Sequence, residues 1–300
     1  MIDESQVRAK LFEWLEKESA RNGGIFTRKQ LLNDFSVAGE RIALVGPRGI
    51  WIPKQFESIP ISITTASRGP YEDSIDENLL IKYKYFGNDP NHRDNVRLTQ
   101  AWRTQTPLVY FLSPSPDNYQ ALWPVYIIEN HPETLSVTAE IKAAYSPSIL
   151  GDNMPEGVGE MDGRQYRSAV MRQRIHQQAF RIRVLYAYND NCAVCYIKHT
   201  ELLDAAHIIP DGKPHGEPVV PNGLSLCKIH HAAFDSNIIG INPDHIIEVR
   251  SDILREHDGP MLKHGLQELH GQRIRLPKHK SDWPDRERLE WRIEEFRKAG

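Results

Sequence analysis

The strongest constraint on how this chain can fold is a pair of short ligand motifs, Cys192-Ala-Val-Cys195 and Cys227-Lys-Ile-His230. A two-residue gap lets one tight turn present both members of a pair. Two such pairs supply the four sulfur and nitrogen donors that a tetrahedral zinc requires. All four positions are filled, so the expected zinc is structural. The alternative is a cluster of buried free thiols beside an incidental histidine. The three cysteines of the chain all fall here, and an odd, sparse set without a secretion signal argues against a disulfide framework. Any fold must therefore bring residues 192–195 and 227–230 together.

Around that clip the sequence reads as an α+β chain, and its 300 residues suffice for two domains. Val7, Leu11, Trp14 and Leu15 recur at helical spacing over 5–18, and a short helix is expected over 27–33. Strands are expected at 41–45, 59–65, 79–86, 107–112, 119–128 and 134–141, with one helix at 95–104. Many short strands and few helices suggest a β-barrel or a strongly curved sheet with flanking helices. Residues 146–163 carry Pro, Ser, Gly, Asn and Asp without apolar periodicity and read as a linker. The expected domains are thus 1–145 and 164–300. In the second, helices are expected over 165–188, 259–270 and 285–298. No apolar run is long enough to span a bilayer and the N-terminus is unlike a signal peptide, so a cytoplasmic protein is expected.

The formal net charge of −3 speaks mildly against a polyanionic partner, but the charge is segregated. Six arginines and no acid lie between Arg164 and Arg183. Arg167, Arg174 and Arg181 fall every seven residues, along one side of a helix. That row is either a solvated face or a set of nucleic-acid phosphate contacts.

Between and beside the ligand pairs lie Asp204-Ala-Ala-His207-Ile-Ile-Pro210, Asn222-Gly-Leu-Ser-Leu-Cys227 and His230-His231-Ala-Ala-Phe-Asp235. In type and order these residues resemble the HNH, or ββα-metal, endonuclease family, over this segment alone. The resemblance implies a hairpin carrying His207, a loop carrying Asn222 and a helix carrying His231. Phosphodiester hydrolysis needs a neutral imidazole to deprotonate water, a role that falls to His207. It also needs a divalent cation such as Mg²⁺, Mn²⁺ or Co²⁺, for which His231 is the expected ligand. Asn222 would orient the loop and, through its carbonyl, hold the tautomer of His207. His230 would close the zinc site while His231 faces the cleft, since helix neighbours point about 100° apart. Many members of the family carry an acid or histidine directly before the first catalytic histidine, where this chain has Ala206. The cation would then draw on Asp204 or Asp235, unless Asp204 is structural. A zinc-stabilised DNA-binding protein without catalysis is the alternative.

Residues 62–111 carry a second resemblance, to the SRA domain, a PUA-like reader of 5-methylcytosine. It rests on Ser62-Ile-Thr, on Gly69-Pro-Tyr71-Glu-Asp73-Ser-Ile-Asp76, and on the strand with Tyr83. The helix with Leu98 and Ala101 and the strand Pro107-Leu-Val-Tyr-Phe111 follow in order. It implies base flipping, with the base clamped between Tyr71 and Tyr83 and its polar edge read by a carboxylate. The usual acid falls at Ser74 here, leaving Asp73 as the substitute, with Glu72 and Asp76 as alternatives. Arg93, in a shortened loop, would probe the gap left by the base. Tyrosines at strand positions serve equally in cross-strand packing. Trp51, Trp102 and Trp123 are assigned to core or domain contacts.

Together the resemblances imply a modification-dependent restriction endonuclease acting on double-stranded DNA with modified cytosine. One such site cuts one strand, so a homodimer is expected, and no membrane partner. The alternative keeps the nuclease and gives the barrel another DNA feature to read.

Overall fold

The computed structural model of the chain describes residues 3–65, 75–76, 78–142 and 160–299, with side chains from 168 onward in the last segment. These residues are mixed α+β and fall into two units, 1–179 and 180–300.

In the first unit, α1 (Glu4–Asn22) begins where the Asp3 carboxylate accepts from the amides of Ser5 and Gln6, and ends at Gly23 in the left-handed region. β1 (Ile25–Thr27) leads into α2 (Arg28–Asn33), opened by a Thr27/Gln30 capping box. The strands are β2 (Ser36–Val37), β3 (Glu40–Arg41), β4 (Ile50–Trp51), β5 (Ser62–Thr65) and β6 (Leu80–Lys84). After α3 (Arg93–Thr104) come β7 (Leu108–Ser115), β8 (Asn118–His131) and β9 (Ser136–Ile141). Seven of these strands form one sheet in the order β4-β5-β7-β8-β9-β6, with β1 also on β8. Only the β5–β7 pair within it is parallel.

The sheet curls into a half-barrel. Tyr83 on β6 donates from its hydroxyl to the Thr64 carbonyl on β5, at 3.3 Å, although several strands separate the two in the sheet order. Gly49 permits this approach, since a Cβ there would lie 2.5 Å from that hydroxyl. Bulges in β7–β8 and β8–β9 supply the bend. Alternation along β7 sends Tyr110 and Leu112 into one core and Val109 and Phe111 into another, the latter sealed by α1 through Val7, Leu11 and Leu15. Both faces are therefore covered. Trp123 is buried, and Trp51 and Trp102 pack against the cores as expected.

Three sequence expectations change: the linker expected over 146–163 lies outside the described residues as far as 159 and is helix from Glu160. The apolar alternation over 41–45 gives a strand only at Glu40–Arg41, paired with Ser36–Val37. Ile42 and Leu44 are buried, but their amides bond to the carbonyls of Phe35 and Leu31 in the neighbouring loop and helix. The helix expected over 259–270 is Pro260–Gly265 followed by a 3₁₀ turn at Gln267–Leu269.

The long helix α4 (Glu160–Ala187) contributes Met171, Ile175 and Ala179 to a core of the first unit, and Phe180, Val184 and Leu185 to that of the second. The second unit continues with β10 (Leu203–His207), β11 (Gly223–Cys227) and α5 (Lys228–Asp235). A second hairpin follows, β12 (Ile239–Ile241) with β13 (Ile247–Val249), then α6 (Ser251–Arg255), α7 (Pro260–Gly265) and α8 (Arg286–Ala299). β10 and β11 are antiparallel, Leu203 facing Cys227 and His207 facing Gly223. Hairpin and α5 together make a ββα unit. Gly223 is forced by packing: a Cβ there would lie 2.4 Å from Val184 Cγ2 and 2.9 Å from Phe180 Cζ.

Candidate active site

The two ligand pairs meet. Cys192 and Cys195 lie in the turn after α4, Cys227 ends β11, and His230 sits on the first turn of α5. Their donor atoms all lie within 4.8 Å of one another. Cys195 Sγ is 3.8 Å from Cys227 Sγ, and His230 Nδ1 is 3.1 Å from Cys227 Sγ and 3.6 Å from Cys192 Sγ. Sulfurs around a zinc at its usual bond length stand about 3.8 Å apart. The donor set and its edges thus fit a tetrahedral ion. His230 Nε2 is 2.9 Å from the Gly265 carbonyl, so a proton on Nε2 leaves Nδ1 free to ligate. Hydrogen bonding from Cys192 and then Cys195 pulls the Cys227 thiol far below its ordinary value. The same contacts push the Cys195 thiol up, so the crowded sulfurs cannot all ionise together unless a cation offsets their charge.

One residue further along α5, His231 turns to the other side. With Asp235 one helical turn on, it lines a cleft of about 430 Å³ together with His207, Asp211 and Lys213. His231 Nε2 lies 3.3 Å from Asp235, and its Nδ1 lies 3.6 Å from Asp204. The Asp204 carboxylate, 3.6 Å from Nδ1, raises the His231 pKa against the opposing pull of burial. Burial pushes the Asp204 carboxyl up, but His231, the Ala205 amide and Arg181 outweigh it and the net shift is downward. Asp204 is outside the lining of the cleft.

His207 ends β10 and stacks on Phe180, ring centroids 4.1 Å apart. Its Nε2 is covered and has no hydrogen-bond partner. Burial lowers its pKa below 6.5, and the nearby Asp211 only partly restores it. An imidazole in this position stays neutral and can accept a proton. Asn222 is fully buried. Its Oδ1 accepts from the Ile209 amide at 2.9 Å, its Nδ2 donates to the carbonyls of Ile209 and Glu217, and its own carbonyl accepts from Ile208. Asn222 therefore clamps the 208–217 loop. Its carbonyl accepts from the Ile208 amide, and His207 Nε2 has no hydrogen-bond partner in this structure.

Arg181 differs from the expected outward row. It donates to the carbonyls of Thr200 and Leu203 and sits 3.5 Å from Asp204, bracing the start of β10. Seven-residue spacing gives a helix side, but not what packs on it. Arg174 is half-buried, and the Arg167 side chain lies outside the described residues.

Sequence reasoning missed the far wall of the cleft. Trp291, Arg292 and Glu295 on α8 line it. Arg292 is buried, lies 4.4 Å over the Phe234 ring, and donates to the Phe234 carbonyl and to Asn237 at the end of α5. No local motif marks these residues; the only signal was an amphipathic helix.

In the first unit, Tyr71, Asp73, Glu72 and Ser74 lie outside the described residues. Tyr83 packs against the core with its hydroxyl tied to Thr64, and burial pushes its pKa up. Arg93 is well exposed at the start of α3. Beside it the buried Asp94 is ringed by Arg48 at 2.7 Å, Arg93 at 3.5 Å, His92 at 3.9 Å and Arg97 at 4.0 Å. Phe86 stands exposed against Arg48 and His92.

Residues 192–242 match the family HNH_2, described as HNH endonuclease, and form the HNH endonuclease domain of this chain. No curated protein matches. Among solved structures, one described as a modification-dependent TagI restriction endonuclease aligns over 90% of each chain at 15% identity and a TM-score of 0.31. The Type IV phosphorothioation-dependent restriction endonuclease ScoMcrA aligns over 82% of this chain and 56% of its own, at 14% identity and a TM-score of 0.24. Among the described residues, no helix is long and apolar enough to cross a membrane.

Proposed function

We propose that the chain is a cytoplasmic, modification-dependent DNA restriction endonuclease whose half-barrel selects a modified cytosine and whose ββα unit cuts the duplex. One observation carries the cutting half: His207, His231 and Asp235 line a single cleft beside a closed Cys₃His cluster. In this reading zinc occupies the cluster and ties the hairpin to α5. His207, kept neutral by burial, takes the proton of the attacking water. His231 with Asp235 holds a divalent cation, Mg²⁺, Mn²⁺ or Co²⁺, which when bound offsets charge on the phosphate and on the leaving 3′-oxygen. Asp204, braced by Arg181, orients the His231 ring through Nδ1 and is not a ligand. Cutting both strands calls for two such sites, hence a homodimer.

The reader half rests on the sequence resemblance. It assigns Tyr71 and Tyr83 to the flipped base, Asp73 to its polar edge and Arg93 to the gap, while the seven-residue spacing of Arg167 and Arg174 assigns those two to phosphates. A second reading, in which the half-barrel selects another DNA feature, is favoured by Tyr83, whose ring and hydroxyl are already committed to packing. The test is cleavage of one plasmid, unmodified or carrying 5-methyl- or 5-hydroxymethylcytosine, with each metal in turn. Cutting of modified DNA alone supports the first reading, cutting of both supports the second, and no cutting removes the nuclease.

A further inference from the structure

The nuclease cleft does not end at His207 and His231. Lys213 and Trp291 line it and also line a second cavity of about 390 Å³, walled by Ile209, Pro214 and Arg288. Lys213 Nζ sits 4.8 Å over the Trp291 ring and makes no ion pair among the described residues. Its ammonium therefore has donors to offer where the two cavities join. Arg288 gives Nη2 to Glu217 at 2.9 Å, while its Nη1 is covered and has no partner. A covered guanidinium N–H is unfavourable until an acceptor reaches it. Asp285 and Glu287 also line the second cavity, and their charge opposes a phosphate there. They do not oppose a neutral ring.

We propose that this second cavity takes the base of a nucleotide flanking the scissile phosphate. The base stacks on Trp291 with an acceptor edge toward Arg288 Nη1, and the adjoining phosphate lies on Lys213. The inference rests on the nuclease reading of the first cavity. It extends that site onto α8, beyond the 192–242 segment, and makes Trp291 and Arg288 substrate-positioning residues.

The test uses the full chain without added divalent cation, so that binding is read apart from cutting. Fluorescence anisotropy compares a labelled oligothymidine with the same sugar–phosphate chain bearing abasic sites. Stacking of one base is expected to make the wild-type protein bind oligothymidine about tenfold tighter. Trp291→Ala should bind both strands alike. Trp291→Phe, which keeps a ring and guards against misfolding, should retain most of the preference. Lys213→Ala should weaken both strands equally and flatten the salt dependence. Equal wild-type affinity for the two strands, or a Trp291→Ala preference as large as wild type, overturns the proposal. Plasmid nicking by the same preparations reports on the nuclease separately. A Trp291-dependent preference in a protein that nicks nothing with any metal would keep the cavity and overturn only the nuclease.

Discussion

In the C-terminal unit, the candidate ligands, base and loop clamp lie between Cys192 and Asp235, on one turn, one hairpin with its loop, and one short helix. In the N-terminal unit, the candidate reading residues that are described, Tyr83 and Arg93, lie on a strand and at a helix start, in a unit whose sheet is buried on both faces. The contrast follows from what holds each region together. Four donors placed to share one ion would tie the hairpin to α5 over an apolar core that includes Val184, Leu224 and Phe234, and the other side of α5 is left for polar side chains that line a cleft. A doubly covered sheet needs bulky residues on both sides, and there an aromatic side chain is as useful for packing as for binding.

The largest test of that contrast is Cys227→Ser. Structural zinc contributes about 10 kcal/mol or more to small folds, so amide protection in β10 and β11 should collapse while β7 and β8 keep theirs in hydrogen exchange. Retained protection in β10 and β11 would mean that packing, not the cluster, holds the ββα unit. Next, His207→Ala should lower nicking by about 10²–10⁴-fold while lowering stability by only the lost stacking on Phe180, about 1 kcal/mol, because the ring's Nε2 bonds to nothing in the protein. The pH profile sharpens this. Burial depresses the His207 pKa below 6.5, so the proton-accepting form persists into more acid solution than for an exposed histidine. The acidic limb of the nicking rate should fall below pH 6.5. Asp211→Asn, by removing a charge that raises that pKa, should move the limb lower still.

Smaller effects compare packing in the two units. Gly223→Ala would place its Cβ against Val184 and Phe180, and about 1–3 kcal/mol of destabilisation is expected from denaturant titration. The smallest effect separates the two roles of Tyr83. Tyr83→Phe removes the hydroxyl bond to Thr64, which should cost about 1 kcal/mol of stability, yet it keeps a stacking ring. If discrimination between modified and unmodified DNA survives the change, Tyr83 acts through its ring. If the loss of stability and of discrimination go together, the hydroxyl contact shapes the half-barrel itself.

Much of the first unit was legible. The apolar spacing of Val7, Leu11, Trp14 and Leu15 marks α1, and the short helix expected over 27–33 is α2. The 41–45 segment was not, because Ile42 and Leu44 alternate like a strand yet find their hydrogen-bond partners in Phe35 and Leu31. In the second unit the motif residues converge much as their order implied. Arg181 did not follow its pattern, since periodicity reports a helix face but not the Asp204 and Leu203 groups that meet it.

By itself the sequence determined the two ligand pairs and the different facings of His230 and His231. All of these depend on spacings of a few residues and on the fixed geometry of turns and helices. Tertiary structure alone decided that Asp204 braces His231 from outside the cleft, that Asn222 clamps a loop, and that α8 supplies the far wall. Those outcomes depend on groups far apart in the chain, such as Arg292 reaching Phe234 and Asn237. The physical reason is that long-range docking is chosen by packing and by satisfaction of buried polar groups over the whole unit, which no local spacing encodes.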